Sequence, residues 1–142
     1  MNYETLPALV VVLIIYQVNL LKINIMYNIF VYGTLKKDGC NHHFLKDSEF
    51  VKNEVLKDHS IYVPDLFNFP LLLEDEGGKV HGEIYKIDDN TLANLDMLEG
   101  EGNLYNRINK DELDFQYYLF NDNGAWNIDR KKDKIDDGIW EV

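Results

Sequence analysis

Apolar and polar residues alternate in short runs along most of this chain, and the runs change period at a few marked points. In NIFVYGTLKKDGCNHHFL, residues 28–45, positions Ile29 to Tyr32 are apolar, aromatic or β-branched, which predicts a strand over 28–33 broken at Gly33. The next stretch, NHHFLKDSEFVKNEV, has its apolar positions at Phe44, Leu45, Phe50 and Val51, and a short helix is expected around 41–47. EFVKNEVLKDHSIYVPD reads as extended segments closed by Pro64. FPLLLEDEGGKVHGEIYKID reads as a hairpin, with a charged turn at Gly77-Gly78 between an apolar run and an alternating one. Asp88-Asp89-Asn90 supplies helix N-caps for TLANLDMLEG, and Gly100 is a suitable stop. LYNRINKDEL, FQYYLFN and the final DGIWEV are all strand-like. Many short strands with two short helices predict an α+β fold, a small mixed β-barrel or closed sheet with helices packed around it.

Residues 1–25 stand apart from this pattern as an apolar N-terminal extension, and residues 26–142 read as one domain without repeats or linkers. LPALVVVLIIYQVNLL is densely apolar, interrupted at Gln17 and Asn19. Glu4 sits where a signal peptide would carry lysines, and no A-x-A site follows. The run is short for a membrane span, which needs ~20 mostly apolar residues. Three readings stand: an extension ahead of a natural start at Met26, a weak membrane anchor, or an extra β-strand.

Composition narrows the function class. The 142 residues are 46% hydrophobic and 27% charged, as in a globular domain, and carry a formal charge of −11 with a pI near 4.6. Such a surface repels phosphate backbones and anionic lipid, so neither nucleic acid nor a membrane is an expected partner of the domain. Cys40 is the only cysteine, which excludes an internal disulfide and fits a reducing, cytoplasmic setting. His42, His43, His59 and His81 match no ligand spacing such as H-E-x-x-H, so no metal is expected.

The candidate chemistry lies in one helix and one turn. On the helix from Thr91 to Glu99, Leu92, Leu95 and Leu98 point toward a core, and Asp96 and Glu99 share one face. An acid at the helix C-terminus meets the partial negative charge of the macrodipole. If Glu99 is also partly buried, its pKa rises toward the range that suits a general base near neutral pH. An ordinary solvated helix-end acid would have the same spacing. In the turn Tyr32-Gly33-Thr34-Leu35, successive amides can point at one anion and form a cradle for a carboxylate or oxyanion. A plain structural bend would also place a glycine there. Asn41 and His42 are candidates to brace the loop. Asp96 could orient Glu99, raise its pKa by like charge, or form a salt bridge. Tyr105 and Arg107 could line a pocket or tie the helix to the next strand.

VYGTLKKDGCNHHFL followed by VHGEIYKIDDNTLANLDMLEGEGNLYNR resembles the gamma-glutamylcyclotransferase-like family, nearest its gamma-glutamylamine cyclotransferase branch. The resemblance runs from about Tyr27 to DGIWEV. It implies a substrate loop at Tyr32, Gly33, Thr34 and Leu35 and a catalytic glutamate at Glu99. The implied reaction has the α-amine of a γ-glutamyl group attack its own γ-carbonyl, giving 5-oxoproline and a free amine without cofactor. A non-catalytic small-molecule binding domain on the same scaffold is the alternative. The chain departs from the family pattern at Phe69, where a glycine or other small residue often stands shortly before the pocket proline.

Overall fold

The computed structural model describes residues 6–23 and 25–142, so residues 1–5 and 24 of the apolar extension lie outside the description. Among the described residues the order is helix α1 (Ala8–Ile23), strand β1 (Met26–Val31), a 3₁₀ turn at His42–Leu45, β2 (Glu49–Tyr62), β3 (Leu71–Asp88), α2 (Asp89–Glu99), β4 (Tyr105–Ile108) and β5 (Tyr117–Phe120). Over Ala8–Ile23 the extension is therefore helical, and the reading as an extra strand is corrected there. Apolar side chains are exposed all round α1, from Leu9 and Val10 to Ile15, Tyr16 and Val18. Its 16 residues rise about 24 Å at ~1.5 Å each, short of a ~30 Å hydrocarbon core. Among the described residues no helix is long and apolar enough to cross a membrane.

Strand β3 is the centre of a three-stranded antiparallel sheet ordered β1-β3-β2. Alternation along the strands feeds two cores, one on each face. Ile29 and Val31 of β1 join Leu71, Leu73, Tyr85 and Ile87 of β3 on one face, under Leu92 and Leu95 of α2. Phe30 and Tyr32 join Leu72, Val80 and Ile84 on the other, with Phe115 and Tyr117. A second antiparallel pair, β4–β5, leans on β1 through Phe30 N–H donating to Gln116 O (2.8 Å) and Gln116 N–H donating to Asn28 O (2.9 Å). The fold class is α+β as expected, but among the described residues the two sheets do not close into a barrel. Counting strands shows how many there are and leaves open whether the last pairs with the first.

Three local expectations change. Gly77-Gly78 is a bulge inside the continuous β3. Lys57 faces Lys79 and His59 faces Glu74, so Asp58 stands alone opposite residues 75–78. Gly77 has φ 82° and donates its N–H to Asp58 Oδ1 at 3.0 Å. Positive φ serves a turn and a bulge equally well, which is why the dipeptide read as a hairpin. The connection between β2 and β3 is instead the loop 63–70. The terminal DGIWEV is irregular, held by His81 N–H to Gly138 O (2.9 Å) and by Trp140 against the second core. The first strand begins at Met26 and ends at Val31, which leaves Tyr32 and Gly33 free of the sheet.

Candidate active site

The turn after β1 is held from both sides. A Cβ on Gly33 would lie 2.8 Å from Pro70 Cγ, so only glycine lets the loop 63–70 press against the turn. Lys36 N–H donates to Gly33 O (3.1 Å), and Asn41 holds Thr34 twice, through its backbone N–H to Thr34 O and its side-chain amide to Thr34 Oγ1, each 2.9 Å. His42 Nδ1 pairs with Leu35 O at 2.9 Å. With the carbonyls so engaged, the N–H groups of Gly33, Thr34 and Leu35 donate to no protein acceptor among the described residues. Three successive unclaimed amides lining a cavity are what an anion cradle requires.

Helix α2 brings in the acid. Asp88 caps it by accepting from Thr91 N–H (2.8 Å), Leu92 and Leu95 bury one side, and Gly100 closes it in the left-handed region at φ 59°. Glu99, its last residue, lines the same cavity of about 310 Å³ as Tyr32, Gly33, Thr34 and Leu35. Its surface is half-buried because one side opens on the cavity, while protein atoms crowd it elsewhere. Among the described residues no hydrogen bond reaches the Glu99 carboxylate, and burial pushes its pKa up from the ordinary 4.5 to about 7. Its charge in turn adds to the elevation of the buried Tyr32 and Tyr105 hydroxyls, after desolvation and, for Tyr32, the neighbouring Tyr105.

Asp96 does not contribute to that shift. It is bound to Arg107 by two hydrogen bonds, 2.9 Å from Nε and 3.2 Å from an Nη, and accepts from the Tyr118 hydroxyl at 2.6 Å. Arg107 also donates to Gln116 Oε1 at 2.6 Å. The like-charge reading of Asp96 is thus corrected: the pair clamps α2 to β4 and β5, and neither residue lines the cavity. Tyr105 does line it and donates its hydroxyl to Pro70 O at 3.0 Å. Asn41 lines it as well as bracing Thr34. Tyr118, Phe69, Leu98 and Leu104 are among its other walls, with Cys40 and Asn68 adding polar groups. The Tyr-Tyr pair in FQYYLFN sends one ring to each core, and Tyr118, in the first core, also reaches the cavity. Among the described residues no three His, Cys, Asp or Glu side chains gather as metal ligands.

The gamma-glutamyl cyclotransferase, AIG2-like family model matches residues 29–142. The chain belongs to this family. Among its relatives, gamma-glutamylaminecyclotransferase A of Danio rerio is 41% identical over 88 residues, covering 56% of this chain and 55% of that protein. The chain spans about three fifths of the length of the first curated relatives it matches. The solution structure of ytfP from Escherichia coli superposes with a TM-score of 0.57 at 29% identity, over 80% of this chain and 95% of that one. An AIG2-like protein from Mus musculus superposes with a TM-score of 0.58 at 28% identity, over 66% of this chain and 76% of that one. The family match starts at Ile29, so it takes in both the Tyr32–Leu35 turn and Glu99 and omits α1.

Proposed function

We propose that this member of the gamma-glutamyl cyclotransferase family releases 5-oxoproline and a free amine from gamma-glutamylamines, with residues 26–142 as the catalytic domain. The observation that carries the reading is the shared cavity: Glu99, whose pKa burial raises to about 7, and the three turn residues with unclaimed amides line one small space. The amides of Gly33, Thr34 and Leu35 take an anionic oxygen of the γ-glutamyl group and fix its orientation. The substrate's α-ammonium, with a reference pKa of about 7.7–8.0, must lose a proton before it can attack. Glu99, within about a unit of that value, accepts the proton at little cost. The amine nitrogen then bonds to the γ-carbonyl carbon, Glu99 returns the proton to the departing nitrogen as its bond to that carbon breaks, and the ring nitrogen gives up its second proton to the freed amine, which leaves as an ammonium ion. Every atom of both products comes from the substrate and no electrons change hands, so the balance needs no cofactor. Attack within one bound molecule reaches effective molarities of ~10⁵ M or more, so positioning does most of the work.

The lining also bears on the leaving group. Among the described residues no Lys, Arg or His side chain stands in the cavity's walls. A leaving group with a carboxylate beside its nitrogen would find no counter-charge and would face Glu99, which favours simple amines over α-amino acids or peptides. The exposed free thiol of Cys40 suits a reducing cytoplasm. The test is incubation with a panel of γ-glutamyl compounds and mass spectrometry for 5-oxoproline. Glu99→Gln is expected to bind the same compounds and lose turnover by ~10²–10⁴-fold, and full activity in that variant would remove Glu99 from the mechanism.

A further inference from the structure

The loop 63–70 presents a second feature to the cavity, and it concerns size. At about 310 Å³ the cavity lies at the low end of the ~300–1,000 Å³ usual for small-molecule sites. Once a γ-glutamyl group spans the space between the turn amides and Glu99, the departing amine must meet the remaining walls. Among those walls Phe69, Leu98 and Leu104 are apolar, beside the polar Asn68 and the hydroxyl-bearing Tyr105 and Tyr118. Leu98 belongs to α2, whereas Phe69 projects from a loop, and a loop ring could be expected to swing aside. Here it is braced. Pro70, the next residue, is pinned by the Tyr105 hydroxyl on its carbonyl (3.0 Å) and by its ring against Gly33. The Phe69 ring itself meets Phe67 edge-on at 5.2 Å and 81°, and Phe67 in turn meets Trp126 edge-on at 5.3 Å and 75°. A three-ring stack thus runs from the cavity wall to the surface and holds Phe69 in place.

Resting on the cyclotransferase reading, we propose that Phe69 is the specificity-determining residue that limits the size of the leaving amine. Shortening it opens the cavity toward Phe67, while Glu99 and the amide cradle stay where they are. The experiment compares γ-glutamyl-methylamide with γ-glutamyl-benzylamide, measuring kcat/KM for each with the full-length protein, Phe69→Ala and Phe69→Leu. The natural protein prefers the methylamide. Phe69→Ala raises the benzyl-to-methyl ratio by about 10-fold or more, the scale on which a pocket accepts or rejects a few carbon atoms. Phe69→Leu keeps most of the apolar volume, tests the idea without emptying the wall, and shifts the ratio the same way by less. A general loss of structure would lower both rates together and leave the ratio alone. An unchanged ratio in both variants, or a natural protein that already takes both amides equally, overturns the proposal. Absence of 5-oxoproline from every γ-glutamyl compound with the natural protein overturns the cyclotransferase reading itself, a result distinct from an unchanged ratio.

Discussion

Replacing Glu99 by Gln removes a charge from a place that penalises charge, and the effect on stability can be worked out beforehand. The Glu99 pKa is about 7 in the folded protein against an ordinary 4.5. The folded state therefore binds the proton more tightly than the unfolded state does between those two values. An acid with a raised folded pKa stabilises the fold fully below its unfolded pKa, and that contribution is lost as pH rises through the folded pKa. At 1.36 kcal/mol per unit, the loss comes to about 3 kcal/mol between about pH 4 and pH 8. The carboxamide introduced by Glu99→Gln does not titrate, so the variant escapes the loss. Urea denaturation at a series of pH values reads this out. With m of ~1–3 kcal/mol/M, the midpoint of Glu99→Gln should rise above that of the natural protein by roughly 1–3 M at about pH 8 relative to their difference near pH 4. If Glu99 is the general base, kcat/KM of the natural protein should fall along an acid limb near pH 7, and the variant should lack that limb. Parallel pH profiles for the two proteins would mean that Glu99 is solvated and ordinary, and the general-base assignment would go with it.

Gly33→Ala drives a Cβ to within 2.8 Å of Pro70 Cγ, so the turn or the loop must shift. Stability should fall by ~1–3 kcal/mol and kcat/KM by more than ten-fold, measured by urea melts and 5-oxoproline release; unaltered kinetics would show that the turn does not position substrate. Asp96→Asn strips the charge from a clamp that holds Arg107 and Tyr118, with both charged side chains about a quarter exposed. A loss of ~1–3 kcal/mol is expected, and Arg107→Lys should recover little because an ammonium cannot match the two-pronged contact. A chain shortened to begin at Met26 should unfold at the same urea midpoint as the full protein, since the side chains of α1 from Leu9 to Val18 are largely exposed. A clear drop in that midpoint would reveal packing by the N-terminal segment.

Signals confined to a few neighbouring residues were legible from the chain alone. Asp88 and Gly100 bracket α2 because capping is a matter of local backbone groups, and the expected helix differs from the observed Asp89–Glu99 only at its first turn. The strand ending near Gly33 and the place of Glu99 at the helix terminus were legible for the same reason. Matters that depend on distant partners were not. The pKa of Glu99 comes from burial beside residues far from it in sequence, whereas its local setting offered only the macrodipole. Asp96 stands three residues from Glu99, yet Arg107 and Tyr118 claim it, and no spacing on α2 could announce that.

Read alone, the chain specifies an acidic α+β domain with a glycine turn after its first strand, a helix ending in glutamate and one thiol, because periodicity, caps and composition are properties of short stretches. It took the folded molecule to establish that β3 runs unbroken through Gly77-Gly78, that the sheets stay open, and that the turn, Glu99 and Phe69 face one cavity. Desolvation, strand pairing and enclosure arise between segments that the chain brings together from far apart, and that meeting happens only on folding.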